Sequence, residues 1–356
     1  MNVHEQYIQR CMELARAGAG HVAPNPMVGS VLVYQGRIIG EGYHRQYGQA
    51  HAEVNCINSV AAEDCHLIPQ STIYVSLEPC AHYGKTPPCA DLIIKNAIPR
   101  VVVGCRDPFK EVNGKGIEKL LQAGIEVITA VLENECRMLN RRFFTFHTRH
   151  RPYIVLKWAQ TADHKITGHS TQRLLISNNH VNRLVHRWRS GEAAILVGTN
   201  TALMDDPLLD TRLWPGSNPI RLVTDMRLRL PQNLKLFTTP QPTIVFNSRS
   251  HTLDFGEKAQ QLKPGITYYY QVTEEVSLVQ QVLNACYQMD IQSIFVEGGA
   301  RLLQSFIDEG AWDEARVITN TRLFAGAGLP APVLNSGQLQ NSEQYFSDQI
   351  NYYTRQ

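Results

Sequence analysis

Apolar strand patterns alternate with amphipathic helix patterns along the whole chain, and this alternation limits the possible folds more than any other feature. In the first part, the apolar run 72–77 is followed by a polar loop and then by a helix pattern. The charged segment 149–152 precedes a new apolar strand at 153–157, where the alternation starts again. Such alternation is typical of layered α/β sheets. For 356 residues we predict two α/β units, over 1–149 and 150–356.

Two further segments complete this prediction. The charged segment 133–147 predicts a single helix at the end of the first unit. The segment from Glu314 to Arg355 is rich in β-type residues, so we predict strands there.

Charge and cysteine usage exclude several classes of function. Lys and Arg total 34 and Asp and Glu total 32, which leaves no basic footprint for DNA, RNA or an anionic membrane. No window approaches the ~18–20 apolar residues of a membrane span, and an export signal is not recognisable. Eight cysteines in so long a chain are not a disulfide framework. We expect a cytoplasmic homo-oligomer with a small-molecule substrate.

Histidine, glutamate and cysteine residues predict a metal site in the first unit. His51 and Glu53 stand at a predicted helix start, Cys80 follows a strand, and Cys89 stands in the first turn of the next helix. A hydrolytic zinc site needs three protein ligands and one position for water, and one histidine with two thiolates supplies the ligands. Glu53 could take a proton from the water and pass it to a substrate nitrogen. This pattern is typical of zinc-dependent base deaminases.

The same residues are also compatible with two non-catalytic arrangements. Eight residues separate Cys80 from Cys89, whereas deaminases usually have two; the longer loop could bulge over a pocket and present Lys85. The cysteines could instead be buried thiols. A structural zinc with His82 or His44 as a fourth ligand is a further alternative.

Two loops with small residues are candidate phosphate sites in the second unit. Residues 198–201 follow one strand, and Gly298 and Gly299 follow another strand and begin a helix. Small residues there let backbone amides approach a phosphate, and the helix dipole assists. The pattern is not Gly-x-Gly-x-x-Gly, and such a glycine pair alone is more often an ordinary turn.

Motifs over nearly the whole chain resemble those of one enzyme family. They are residues 24–29 (PNPMVG), 40–44 (GEGYH), 51–53 (HAE), 78–80 (EPC), 84–89 (GKTPPC), 157–159 (KWA) with Asp163, 195–201 (ILVGTNT), 205–207 (DDP) with Arg212, and 296–299 (VEGG). On these motifs the chain resembles the bifunctional deaminase–reductase family of riboflavin biosynthesis.

The resemblance implies a fold and two reactions. It implies a cytidine-deaminase-like three-layer α/β/α domain, followed by a dihydrofolate-reductase-like α/β domain. The first would bind Zn²⁺ and hydrolyse the 2-amino group of 2,5-diamino-6-ribosylamino-4(3H)-pyrimidinone 5′-phosphate. The second would use NADPH to reduce the ribosyl chain of the product to ribityl.

The same resemblance implies the site residues. In the deaminase, Glu53 would be the proton shuttle, His51, Cys80 and Cys89 would hold zinc, and Asn25, Lys85 and Asp107 would bind substrate. In the reductase, Ala159, Thr201, Asp205, Gly298 and Gly299 would bind NADPH, and Arg189, Leu209, Arg212 and Glu297 would bind substrate. Guanidinium groups match phosphate oxygens, but each arginine alone could be a solvated surface residue. Asp205 could instead cap a helix, and Glu297 could form a salt bridge at the end of a strand.

Three segments depart from the family pattern. Phe109 and Lys110 follow Asp-Pro, where the family often has Asn-Pro. His164 stands at the glycine of a common Leu-Asp-Gly motif, and residues 174–177 (LLIS) replace a common Gln-Trp-Ile-Thr. An alternative is therefore a deaminase whose second unit binds ligand or assembles subunits without reducing. A nucleic-acid deaminase is disfavoured by the charge balance, and the effect of replacing Glu53 would distinguish a non-catalytic zinc module.

Overall fold

The chain divides into two compact units, Met1–His150 and Arg151–Gln356. The computed structural model describes residues 2–83, 87–168, 174–254 and 258–355, so the predicted substrate contact Lys85 lies outside the described residues. The division falls one residue after the boundary expected from the sequence. Within the described ranges, no helix has both the length and the apolarity needed to cross a membrane.

The first unit contains a five-stranded sheet. Its strands are β1 (Gly29–Tyr34), β2 (Arg37–Tyr43), β3 (Thr72–Leu77), β4 (Arg100–Cys105) and β5 (Glu126–Ile128). Its helices are α1 (Val3–Arg16), α2 (Ala52–Asn58), α3 (Cys89–Lys95), α4 (Lys115–Gln122), α5 (Glu133–Leu139) and α6 (Arg141–Arg149), with a 3₁₀ helix over Ala62–Gln70. The strand order is β2-β1-β3-β4-β5. The β1 strand is antiparallel to both β2 and β3, whereas β3, β4 and β5 are parallel.

Helices cover both faces of this sheet because successive strand residues point into two different cores. On β3, Ile73 and Val75 belong to the core that contains residues of α2, α3 and α4. Tyr74 points to the opposite face and packs with residues of α1, α5 and α6. Full burial of one large apolar side chain stabilises a fold by about 1.5–3 kcal/mol. The predicted three-layer α/β/α arrangement is confirmed.

The prediction of a single helix over 133–147 is wrong, and a buried asparagine accounts for the break. Asn140 stands between α5 and α6 with φ −107° and ψ 26°. Its Oδ1 accepts a hydrogen bond from the Met27 N–H, and its Nδ2 donates to the Met27 carbonyl, both at 2.8 Å. Asn140 thereby satisfies the backbone just before β1. Helical periodicity in the sequence does not reveal this distant partner.

The second unit contains a nine-stranded sheet. Its strands are β6 (Tyr153–Thr161), β7 (Ala194–Gly198), β8 (Ile220–Thr224), β9 (Thr243–Asn247), β10 (Thr267–Gln271), β11 (Ser293–Val296), β12 (Glu314–Asn320), β13 (Gln338–Tyr345) and β14 (Asp348–Thr354). Its helices are α7 (Asn179–Ser190), α8 (Thr199–Asp205), α9 (Lys235–Thr238), α10 (Leu278–Gln288) and α11 (Ala300–Asp308), with a 3₁₀ helix over Ala259–Gln261. The strand order is β10-β9-β8-β7-β11-β6-β12-β14-β13.

The second sheet is parallel from β10 to β12 and antiparallel at β14 and β13. On β6, Ile154 and Leu156 point into one core, and Tyr153 and Val155 point into the other. Both faces are therefore buried, as parallel sheets require. Because β7, β11 and β6 are neighbours, their carboxyl ends meet at one edge, where ligands bind in open α/β sheets.

Candidate functional site

Three metal-ligating side chains of the first unit converge from different elements. His51 is the residue before α2, Cys80 follows β3, and Cys89 is the first residue of α3. The His51 Nδ1 atom lies 3.6 Å from Cys80 Sγ and 3.4 Å from Cys89 Sγ. All three ligand atoms lie within 4.8 Å of one another. The structure thus brings the predicted zinc ligands together.

The spacing of these atoms fits a tetrahedral zinc site. With Zn–S near 2.3 Å and Zn–N near 2.0–2.1 Å, a tetrahedral ion separates nitrogen from sulfur by about 3.6 Å. Among the described residues, neither His44 nor His82 belongs to the cluster. Three protein ligands are the number found in hydrolytic zinc sites, where the remaining position takes water or substrate.

The pKa values of the Cys80 and Cys89 thiols are shifted in opposite directions. The Cys89 thiol and His51 hydrogen-bond to Cys80 and lower its pKa well below the usual thiol value. The backbone N–H of Cys89 also donates to Cys80 Sγ, at 3.3 Å. The contact between the thiols raises the pKa of the Cys89 thiol. The pair therefore favours one thiolate before the metal arrives, and metal binding releases the second proton.

Glu53 lies beside the cluster in the first turn of α2. Only 3% of the residue is exposed, and its carboxyl group contacts the Cys89 thiol. Burial, with a smaller contribution from Cys80, raises the pKa of Glu53 to about 7. A carboxyl group here can therefore accept and return a proton near neutral pH.

A hydrogen-bond chain orients Asn25, a predicted substrate contact. The buried His44 places Nδ1 3.1 Å from the Ala50 carbonyl oxygen and Nε2 3.2 Å from Asn25 Nδ2. Because a carbonyl oxygen can only accept, His44 Nδ1 carries the proton and Nε2 accepts from Asn25. Burial lowers the pKa of His44, which keeps the ring neutral. These hydrogen bonds orient the Asn25 side chain with its NH₂ group towards His44.

A buried carboxylate that the sequence analysis did not assign organises the loop after β4. Glu78 is buried, follows β3 and accepts hydrogen bonds from four backbone N–H groups, two in this loop and two in the first turn of α4. The donors are Asp107 (3.2 Å), Gly114 (3.0 Å), Gly116 (3.0 Å) and Ile117 (3.3 Å). The only sequence signal for Glu78 was its place next to Pro79 and Cys80.

Asp107, the third predicted substrate contact, lies at the start of that loop. It is buried, and its Oδ1 accepts a 2.7 Å hydrogen bond from the Phe109 N–H. Burial raises the pKa of Asp107 to about 7, and the nearby Glu78 adds to this effect. The Phe109 ring lies 5.9 Å from the His82 ring and 5.0 Å from the His147 ring. The departure from the family pattern thus places the Phe109 ring beside two histidine rings that come from outside this loop.

The two small-residue loops of the second unit meet at Thr201. Helix α8 begins directly after β7, and α11 begins directly after Gly298 and Gly299. A Cβ on Gly298 would lie 2.7 Å from Thr201 Cγ2, and Gly299 has a φ of +80°. Close approach therefore requires the first glycine, and a left-handed backbone favours the second. The structure brings these three predicted cofactor residues together.

Two predicted substrate residues of the second unit are paired with each other. Arg189 Nη2 lies 2.5 Å from Glu297 Oε2 and Nε lies 3.2 Å from Oε1, while Nη1 donates to the Asp210 carbonyl at 3.0 Å. Lys157 Nζ lies 3.7 Å from the same carboxylate. Burial opposes ionisation of Glu297, but Arg189 and Lys157 lower its pKa overall. The Arg189 guanidinium thus binds a carboxylate in this structure.

Arg212 is the more accessible of the two predicted arginines. Its side chain is 53% exposed and forms an ion pair with Asp210. Asp210, Arg212 and Trp214 help to line a cleft of about 500 Å³. Leu209, another predicted substrate contact, is buried directly before Asp210 with a φ of +51°.

The remaining predicted residues lie on neighbouring elements. Ala159 lies on β6, opposite Ile318 of β12, and Asp205 is the last residue of α8. His164 has a φ of +56°, which the glycine of the common motif would adopt readily. Leu175, in the second departing segment, is 75% exposed.

Comparisons with known protein families cover both units. The family model of the RibD C-terminal domain matches residues 152–345, which is more than half of the chain. The model of the cytidine and deoxycytidylate deaminase zinc-binding region matches residues 1–105.

Curated relatives and solved structures are similar over most of their length. The riboflavin biosynthesis protein RibD of Aquifex aeolicus is 38% identical over 343 residues, or 96% of this chain and 93% of that protein. RibD of Escherichia coli K12 is 33% identical over 333 residues, or 90% and 88%. A crystal structure of a diaminohydroxyphosphoribosylaminopyrimidine deaminase/5-amino-6-(5-phosphoribosylamino)uracil reductase from Thermotoga maritima matches with a TM-score of 0.87 and 35% identity, over 99% of both chains. RibD of Acinetobacter baumannii matches with a TM-score of 0.85 and 28% identity, over 99% of both chains.

These likenesses agree with the two sheets described above. They confirm the predicted fold class, in which a cytidine-deaminase-like domain precedes a dihydrofolate-reductase-like domain. The match to a zinc-binding region agrees with the convergence of His51, Cys80 and Cys89 in the first unit. The chain therefore belongs to the RibD family of riboflavin biosynthesis proteins.

Proposed function

We propose that this protein catalyses two consecutive steps of riboflavin biosynthesis. Residues 1–149 deaminate 2,5-diamino-6-ribosylamino-4(3H)-pyrimidinone 5′-phosphate, and residues 150–356 reduce the ribosyl chain of the product with NADPH. The observation that carries the proposal is the convergence of His51, Cys80 and Cys89 beside the buried Glu53. Membership of a family whose relatives match both domains supports the second step.

In the first unit, His51, Cys80 and Cys89 would hold zinc. A zinc ion with three protein ligands supplies Lewis acidity and lowers the pKa of water in its fourth position to near neutrality. Glu53 takes a proton from the attacking water and delivers it to the leaving nitrogen. The water oxygen forms a bond to the carbon that carries the 2-amino group, the C–N bond breaks, and the protonated nitrogen leaves as ammonia. Asn25, Lys85 and Asp107 bind the pyrimidine or its phosphate arm.

In the second unit, Thr201, Gly298 and Gly299 would form the seat for the phosphates of NADPH, with Ala159 and Asp205 as further contacts. NADPH supplies the hydride when bound. Glu297 hydrogen-bonds hydroxyl groups of the substrate, and its ion pairs with Arg189 and Lys157 hold it in place. Arg212 supplies a positive charge for the substrate phosphate at the cleft. Leu209, directly before Asp210, is a further substrate contact. The chain's own residues thus bind and orient the reactants.

A homo-oligomer in the cytoplasm completes the proposal. All eight cysteines are free, which suits a reducing compartment. Large apolar side chains such as Phe324, Leu339 and Phe346 are exposed on the second unit, and homodimer interfaces are more apolar than the rest of the surface. Sedimentation velocity tests the oligomeric state, and a monomer at micromolar concentration contradicts it.

One assay of the purified protein tests both steps. We expect about one zinc per chain, ammonia release from the diaminopyrimidine phosphate, and NADPH oxidation that depends on the deaminated product. Ammonia release without NADPH oxidation would favour the alternative in which the second unit binds ligand or assembles subunits. The family match over 152–345 gives that alternative no support.

A further inference from the structure

His186 lies among the charged residues of the second unit, yet neither the sequence motifs nor the proposed reaction uses it. The residue lies on α7, one helical turn before Arg189, and only 5% of it is exposed. No described residue forms a hydrogen bond with its buried Nδ1 atom. Buried polar atoms are almost always hydrogen-bonded in folded proteins. A ligand is therefore a natural partner for this nitrogen.

Four charged groups lie close enough to the His186 ring to act on it electrostatically. Arg189 comes from the same helix, Arg212 and Asp210 come from the loop that lines the cleft, and Glu297 comes from the end of β11. Arg189 already binds Glu297 and the Asp210 carbonyl, whereas Arg212 keeps a half-exposed guanidinium at the cleft. Arg212, although paired with Asp210, is thus the more accessible arginine, and His186 is a second group near it that can donate to an incoming anion.

The surroundings keep the free imidazole neutral. Burial, followed by Arg189 and Arg212, lowers the pKa of His186 to about 4. A dianionic phosphate bound at Arg212 would oppose this effect, because a nearby negative charge favours protonation of the ring. The ring could then donate a charge-assisted hydrogen bond to a phosphate oxygen.

We propose that His186 is a phosphate-binding residue of the reductase site and that, together with Arg212, it holds the phosphate monoester of the substrate through Nδ1. The inference rests on the proposed reductase function, because that function supplies the phosphorylated substrate. NADPH also carries phosphates, so the experiment must separate the two sources.

Three variants of the full-length protein test the proposal. In His186→Asn, the side-chain amide nitrogen occupies the position of Nδ1. In His186→Gln, it occupies the position of Nε2. His186→Leu removes both nitrogens. The measurements are KM and kcat for the deaminated substrate, the Kd of NADPH, and the Kd of ribose 5-phosphate by calorimetry. Ammonia release by the first unit and the melting temperature report on folding.

We expect a loss of ground-state binding that is specific for Nδ1. His186→Leu and His186→Gln should raise KM and the Kd of ribose 5-phosphate about tenfold or more, as expected for one lost charge-assisted hydrogen bond. His186→Asn should stay close to the wild type. The kcat, the Kd of NADPH and ammonia release should change little in all three variants. If His186→Leu does not fold, the proposal is tested by comparing KM and the Kd of ribose 5-phosphate between His186→Asn and His186→Gln.

Two results would overturn the proposal. One is equal affinity for ribose 5-phosphate in wild type and folded variants, and the other is a selective loss of NADPH affinity. A wild-type protein that binds ribose 5-phosphate in a His186-dependent manner but does not oxidise NADPH supports this inference and contradicts the reductase function. The two hypotheses can therefore fail separately.

Discussion

The buried carboxylate of Glu78 accepts a hydrogen bond from the backbone N–H of Gly116 at 3.0 Å. A Cβ on Gly116 would lie 1.9 Å from the Pro79 carbonyl oxygen, so the approach of the two segments requires glycine. Pro79 directly precedes Cys80, a proposed zinc ligand, and Gly116 lies in the first turn of α4, which follows the loop that carries Asp107. The Glu78 carboxylate therefore connects the segment that contains Cys80 to the segment that contains Asp107.

Replacement of Glu78 by Gln should weaken this tie. The amide NH₂ would face backbone N–H donors that now share a carboxylate, and unsatisfied buried donors cost about 1–3 kcal/mol. We expect a loss of unfolding free energy of that size in urea titrations, and a larger fall in ammonia release than in NADPH oxidation. Glu118→Gln, at an exposed position on α4, is the matched control. Equal stability of both variants would contradict the assignment.

Replacement of Glu53 by Gln should separate zinc binding from turnover. Glu53 lies beside the ligands without belonging to their cluster, so the zinc content by mass spectrometry should stay at the wild-type value. Ammonia release should fall by about 10²–10⁴-fold because the proton shuttle is lost. NADPH oxidation with the deaminated substrate should not change. A variant that releases ammonia at the wild-type rate would exclude Glu53 as the proton shuttle.

Loss of a zinc ligand should abolish only the first reaction. Cys89→Ser removes one of three ligands whose atoms lie within 4.8 Å, so we expect a low zinc content and no measurable ammonia release. A strong chelator should have the same effect on the wild type. Cys65 is exposed and outside the cluster, so Cys65→Ser should keep both zinc and activity. Persistent ammonia release in the metal-free protein would rule out the zinc mechanism.

The convergence of the three candidate zinc ligands could be predicted from sequence because each stands next to a recognisable local element. His51 precedes a helix, Cys80 follows an apolar strand, and Cys89 begins a helix, so the α/β topology alone brings them to one edge. Glu78 was not assigned a role because its four donors lie 29 to 39 residues further along the chain. No local pattern shows where such a carboxylate points.

The second unit was harder to predict because its site depends on contacts between distant segments. Arg189 and Glu297 are 108 residues apart. From the sequence alone, Arg189 could be a solvated surface residue, and Glu297 could form a salt bridge with an unknown partner. Strand β10 lies at the edge of the sheet, where its alternate residues are only partly buried. The apolar central strands β7, β8 and β11, in contrast, were recognisable because burial on both faces leaves continuous apolar runs.

The stability that Asp163 contributes should disappear in acid. Its carboxylate accepts hydrogen bonds from Thr161 Oγ1 at 2.6 Å and from the N–H groups of Ala325 and Gly326 at 3.0 and 2.8 Å. These bonds, that of Thr161 first, lower the pKa of Asp163 from 3.8 to about 2. A lowered carboxyl pKa stabilises the folded state above the unfolded value, and this stabilisation is lost as the pH falls from about 4 towards 2.

Melting temperatures of the wild type and Asp163→Asn between pH 7 and pH 2.5 test this expectation. Wild type should melt at the higher temperature at pH 7, and the difference should narrow only below about pH 4. If the difference in melting temperature between the two proteins is the same at every pH, the negative charge of Asp163 does not stabilise the folded state.

The Arg189–Glu297 pair should show strong coupling in a double-mutant cycle. Their side chains are 13% and 6% exposed, and removal of one member of a buried pair leaves an uncompensated charge, at a cost of about 3–5 kcal/mol. Glu297→Gln should destabilise more than Arg189→Met, because it leaves both Arg189 and Lys157 without their carboxylate, whereas Lys157 still faces Glu297 in the other variant. The double variant should lose less unfolding free energy than the two single variants lose together. We expect a coupling energy of about 1–3 kcal/mol from urea unfolding. All three variants should lose NADPH oxidation but keep ammonia release, and strictly additive losses of stability would contradict a direct pairing of the two side chains.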